Sequence, residues 1–102
     1  MKRFGIVEGF YGKLLSFDER KIFCDALKSS DLNFYWYAPK EDPFIRTHID
    51  LEHTKEWLND FEDFASFTEE LGINLGIGLS LINTNDIENM KTKIIQFMGF
   101  KL

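Results

Sequence analysis

Short, almost wholly apolar runs alternate along this chain with longer stretches of helical spacing. The runs are FGIVEGF at residues 4–10, LNFYWYA at 32–38 and INLGIGL at 73–79. They are rich in β-branched or aromatic residues and do not alternate apolar with polar, which is how strands covered on both faces of a parallel sheet read. Between the first two, Ser16 and Glu19 have the spacing of a capping box, and Ile22, Phe23, Ala26 and Leu27 recur on one helical face. Asp50 can cap a second helix, in which Trp57, Leu58, Phe61, Phe64, Ala65, Thr68 and Leu71 trace an apolar stripe that Gly72 ends. A third helix is predicted from near Asn85, with Ile87, Met90, Ile94, Ile95 and Met98 inward and Gly99 as its stop. Phe100 and Leu102 then read as the opening of another strand. The order is β-α-β-α-β-α with no Pro- or Ser-rich linker, so residues 1–102 are expected to form one α/β domain with parallel strands.

Composition narrows the function classes. With 102 residues, 44% hydrophobic and 28% charged, the chain can bury a core. Its net charge of -5 and scattered Lys and Arg argue against nucleic acid, whose phosphates require clustered cations. No apolar run approaches the roughly 18 residues of a membrane span, and the start lacks a signal-like stretch, so no membrane partner and a cytoplasmic location are expected. Cys24 is the single cysteine and has no His or Cys at metal-ligand spacing, which predicts a small buried hydrophobe.

The candidate chemistry lies where strands end. GIVEGFYG, from Gly5 to Gly12, closes the first strand with glycines, and WYAPKEDPFIR, from Trp36 to Arg46, follows the second with a Pro-Lys-acid cluster. The connection from Pro39 to Ile49 is the longest, and loops leaving the carboxyl ends of parallel strands are those that line ligand sites. Other constellations are weaker. Glu62-Asp63 and Glu69-Glu70 are neighbours on a helix, projecting about 100° apart, and read as solvated faces. His48 and His53 are five apart without the i,i+4 face of a helical metal pair, so no metal and no cofactor are expected.

The ordered combination of EGFYG, a capped helix and YAPK followed by two acids resembles the opening of the catalytic barrel of glycoside hydrolase family 84, the β-N-acetylglucosaminidases. The resemblance is strong over Phe4–Arg46 and continues by pattern from Asp50 to Ser80. It implies the N-terminal (βα)3 portion of a TIM-type (β/α)8 barrel. It also implies substrate-assisted, retaining hydrolysis of N-acetylglucosaminides, in which the 2-acetamido group of the substrate is the nucleophile. The family's two adjacent catalytic aspartates lie at the end of the fourth strand. Leu102 falls where that strand would begin, so the resemblance implies a partial catalytic domain, truncated before the fourth strand, with no catalytic residue of its own.

What the resemblance assigns here are binding contacts. Gly9 would offer its backbone carbonyl to a sugar hydroxyl, with no side chain to block approach, and Lys40 would hydrogen-bond a ring hydroxyl through its ammonium. Tyr11 and Tyr37 are the tyrosines expected to present a hydroxyl at the site. Near it, Glu8 is expected to pair with a basic residue, and Asp42 to hold Lys40 or Arg46 in place. The implied partner is an N-acetylglucosamine-containing glycan or glycoconjugate. Three βα units leave strand edges and a sheet face unpaired, so a complementary barrel fragment or a homo-oligomer is the expected protein partner. The alternative function is a non-catalytic remnant that binds carbohydrate or serves as an interaction module.

Overall fold

The computed structural model describes residues 3–9, 12–80 and 87–99. Strands β1 (Gly5–Glu8), β2 (Phe34–Tyr37) and β3 (Asn74–Ile77) alternate with helices α1 (Phe17–Ser29), α2 (Lys55–Glu70) and α3 (Ile87–Met98). A short 3-10 turn, Pro43–Ile45, interrupts the long connection after β2. The strands form one parallel sheet in the order β1-β2-β3, in a register that aligns Ile6, Tyr35 and Leu75 and, two residues on, Glu8, Tyr37 and Ile77. The helix start expected near Asn85 and the strand expected at Phe100–Leu102 lie outside the described residues.

Strand alternation sends these two rows of side chains toward α1 and α2. Tyr35 meets Phe64 edge-on at 5.5 Å, and Tyr37 meets Phe61 at 5.6 Å. Trp57 stacks on Phe61 at 4.9 Å, and Phe97 brings α3 edge-on to Phe61 at 5.5 Å. The other sheet face carries Val7, 65% exposed, with Phe34 and Trp36. There the Trp36 indole lies across β3: a Cβ on Gly76 would come within 2.6 Å of it, and one on Gly78 within 2.7 Å.

Two of the predicted helix faces are corrected. In α1 the buried residues are Arg20, Cys24 and Leu27, whereas Ile22 is 68% exposed and Phe23 is also exposed. Arg20 turns inward because Glu8 waits there with a carboxylate. In α3 the buried residues are Lys93 and Phe97, and Ile94, Ile95 and Met98 are exposed, Met98 by 75%. Lys93 is satisfied by the Leu51 carbonyl at 2.5 Å. The predicted stripe of α2 does face the core through Phe61, Phe64, Ala65 and Thr68, but its cap is Thr54, whose hydroxyl accepts from the Trp57 N–H at 3.1 Å, and not Asp50. The capping box of α1 forms as read: Ser16 Oγ accepts from Glu19 N–H, and the Glu19 carboxylate from Ser16 N–H. Gly72 follows α2 with a φ of +73°, a conformation that a glycine adopts without steric cost.

Candidate active site

In a parallel sheet all carboxyl ends lie together, so the segments after β1, β2 and β3 meet at one rim. Three backbone hydrogen bonds lace the rim: Ala38 N–H to the Glu8 carbonyl (3.0 Å), Gly78 N–H to Tyr37 (2.8 Å) and Ser80 N–H to Ile45 (2.8 Å). A fourth link joins the two sequence motifs, Gly12 N–H donating to Glu41 Oε1 at 3.2 Å. Gly9 and Lys40 are therefore held on adjacent strand ends. At Gly9 a Cβ would meet only Val7 Cγ1 at 3.5 Å and the Ala38 carbonyl at 3.8 Å, both ordinary contacts. Packing within the described residues thus does not require a glycine there. Lys40 is half-buried. Its carbonyl accepts from Arg46 Nη1 at 2.9 Å. Among the described residues its ammonium has no hydrogen-bond or ion-pair partner, and none of them takes up its three donors.

Beneath this rim are two buried polar clusters. In the first, Glu8 receives two hydrogen bonds from Arg20, Nε to Oε1 at 2.8 Å and Nη2 to Oε2 at 3.0 Å, and one from the Tyr35 hydroxyl to Oε1. The guanidinium is sandwiched between the rings of Phe17 and Tyr37, 4.7 and 4.8 Å from their centroids. Burial alone would lower the Arg20 pKa, but the Glu8 contacts outweigh it and raise it. In the second, Asp42 Oδ1 caps the 3-10 turn by accepting from Phe44 N–H at 2.9 Å. Its Oδ2 accepts from the Tyr37 hydroxyl at 2.5 Å and lies 2.8 Å from His53 Nε2. Burial pushes Asp42 up, yet the bonds from His53 and Tyr37 prevail and hold it below the ordinary aspartate value of 3.8. Both tyrosine hydroxyls are pushed well up, first by burial and then by the carboxylates they face. Burial, with a contribution from Asp25, pushes the Cys24 thiol up to about 12, which suits an inert packing residue.

Two expectations change accordingly. Tyr37 does not present its hydroxyl at the rim: it is fully buried on the helix-facing side of β2, because the strand's period of two sends it the same way as Tyr35. Asp42 holds neither Lys40 nor Arg46 but Tyr37, His53 and the turn. Arg46 does reach Lys40, through the carbonyl. Tyr11 lies outside the described residues. The sequence around His53 carries no local signal of its role, whereas the Asp42-Pro43 pair is a legible turn initiator. Among the described residues no cluster of His, Cys, Asp and Glu could hold a metal ion, and no helix is long and apolar enough to cross a membrane. A groove of about 570 Å³ between the first turns of α1 and α2, lined among others by Leu14, Phe17, Thr54 and Trp57, contains none of the candidate sugar contacts.

The Asp42 cluster predicts acid sensitivity. A carboxylate whose folded pKa is depressed contributes stability that is complete above its unfolded value and is lost as pH falls through the folded one. Urea midpoints should therefore fall below about pH 4, more steeply for the parent than for Asp42→Asn. Parallel curves for the two proteins would contradict the assignment.

Residues 4–101 match the family described as beta-N-acetylglucosaminidase. The chain belongs to that family. It is 28% identical over 102 residues to the Protein O-GlcNAcase of Rattus norvegicus and to that of Mus musculus, matching 94% of this chain and 11% of each relative. Among solved structures, a mutant of the Thermobaculum terrenum O-GlcNAc hydrolase superposes with a TM-score of 0.87 at 30% identity, over 96% of this chain and 22% of that one. The chain thus spans about a ninth of the length of these curated relatives. The beta-N-acetylglucosaminidase assignment and the (βα)3 portion of a TIM-type barrel agree with each other, and the rim carrying Gly9 and Lys40 is the carboxyl-end face on which such barrels build their sites.

Proposed function

We propose that this chain forms three βα units of an N-acetylglucosaminidase barrel and holds the sugar through the Gly9 carbonyl and the Lys40 ammonium. The observation that carries the reading is the placement of Lys40, its carbonyl tied by Arg46 and its ammonium unengaged among the described residues, beside Gly9 on the neighbouring strand end. The names of the similar proteins point to a GlcNAc-bearing substrate. Hydrolysis in the substrate-assisted manner needs an acid and base that this chain does not supply: no two aspartates are adjacent anywhere in the 102 residues. Glu41 does not replace them, since it is exposed and engaged by Gly12. In this reading the catalytic pair comes from further βα units, which would also cover Val7, Phe34 and Trp36 on the open sheet face and the exposed Ile94, Ile95 and Met98 of α3.

The test is binding without turnover. The chain should bind methyl β-N-acetylglucosaminide, followed by backbone amide shifts, and leave a chromogenic N-acetylglucosaminide unhydrolysed. Lys40→Ala removes a charged hydrogen-bond donor and should weaken binding by roughly tenfold or more. Equal affinity of parent and variant would refute the contact.

A further inference from the structure

We propose that His53 is a positioning residue for Lys40, acting through Asp42; the inference rests on the reading of Lys40 as a sugar contact. Lys40 lies between Tyr37, the last residue of β2, and Asp42, and the bond from the Tyr37 hydroxyl to Asp42 Oδ2 closes that segment into a staple. The other oxygen of the same carboxylate fixes the turn that follows, through Phe44 N–H. Besides the bonds from Gly12 N–H to Glu41 and from Arg46 to the Lys40 carbonyl, the staple is tied to the fold through the Asp42 carboxylate itself, by His53 Nε2, 2.8 Å from Oδ2. His53 precedes the Thr54 cap of α2, is 5% exposed, and lies flat on Trp57 with ring centroids 3.6 Å apart and planes inclined by 13°. Phe44 and Phe97 close on the same imidazole at 4.9 and 6.2 Å. The ring's position is therefore set by α2, α3 and the turn together, and it transmits that position to Asp42.

The chemistry specifies the proton. A carboxylate held by the Tyr37 hydroxyl and the Phe44 N–H accepts only, so the Nε2 contact is a hydrogen bond when the proton is on Nε2. His53 Nδ1 is buried without a hydrogen-bond partner among the described residues, and an orphaned lone pair there is better tolerated than an orphaned N–H. Geometry and partner inventory thus agree on an Nε2–H donor. Without it, Asp42 loses its tie to α2, and the Lys40 backbone two residues away keeps only the bond from Arg46 and the Tyr37 staple to fix its direction.

Two substitutions separate donation from packing. His53→Gln keeps an N–H near the Nε2 position and gives up the stacked ring, whereas His53→Phe keeps the ring and gives up the donor. For methyl β-N-acetylglucosaminide we expect His53→Gln to bind within about threefold of the parent and His53→Phe about tenfold more weakly, as misplacement of a contact by a fraction of an ångström does. Titrations run well below both thermal midpoints keep differences in stability out of the comparison. Weaker binding by His53→Gln than by His53→Phe, or affinities unchanged in both variants, would overturn the proposal. Lys40→Ala is the control: if it binds like the parent, the sugar-contact reading fails whatever the His53 variants do. Imidazole nitrogen shifts of the unsubstituted chain require no variant to fold, and a proton found on Nδ1 with Nε2 bare would also overturn it.

Discussion

Replacing Glu8 by alanine should destabilise the fold by about 3–5 kcal/mol, a large part of the roughly 5–15 kcal/mol available to a domain of this size. The loss does not equal the worth of the ion pair. Glu8 and Arg20 are 1% and 2% exposed, so bringing both charges out of water offsets much of their attraction. What makes the single substitution costly is the residue left behind, a guanidinium between Phe17 and Tyr37 with no anion at hand, and a Tyr35 hydroxyl without its acceptor. Glu8→Gln should be nearly as damaging, because it restores shape but not charge. Removing the whole cluster, as Glu8→Leu with Arg20→Met and Tyr35→Phe, should recover most of the loss. Urea unfolding followed by tryptophan fluorescence at pH 7 measures all three. A loss below about 1 kcal/mol for Glu8→Ala would mean that Arg20 finds water and that the cluster is not sealed.

The same cluster shows why part of the fold was legible in the sequence and part was not. Element order, the capping box at Ser16, the stop at Gly72 and the inward stripe of α2 follow from local periodicity and backbone preference, which a single chain displays openly. The inward faces of α1 and α3 do not. Each helix has two candidate stripes, and hydropathy selects Ile22 with Phe23 and Ile94 with Ile95, whereas the fold selects Arg20 with Cys24 and Lys93 with Phe97. In both cases a charged residue turns inward because a group distant in sequence satisfies it, Glu8 for Arg20 and the Leu51 carbonyl for Lys93. The rim is similar. Gly9 and Lys40 could be named from their motifs, but the burial of Tyr37 and the tie from Asp42 to His53 depend on strand register and on an eleven-residue loop closure that no local pattern encodes.

Phe61→Ala is the second substitution with a large expected effect, about 3–5 kcal/mol from lost burial and the cavity left behind. Phe61 is fully buried where the sheet, α2 and α3 meet, edge-on to Tyr37 and Phe97 and stacked on Trp57. Its neighbours cannot collapse into the gap without moving groups that the polar clusters hold. Tyr37 is pinned by Asp42, and Trp57 carries the imidazole of His53. The cavity should therefore stay largely open, which places the cost in the upper part of the range, and Phe61→Leu should recover more than half of it by refilling most of the volume. A second consequence separates this position from an ordinary core site. Loosening Tyr37 and Trp57 together releases both ends of the support under Lys40, so the affinity of Phe61→Ala for methyl β-N-acetylglucosaminide should fall even at temperatures where the variant remains folded. Unfolding midpoints and a titration at 10 °C test the two effects separately. A variant that loses stability but binds as the parent does would show that the aromatic core carries the sheet without steering the rim.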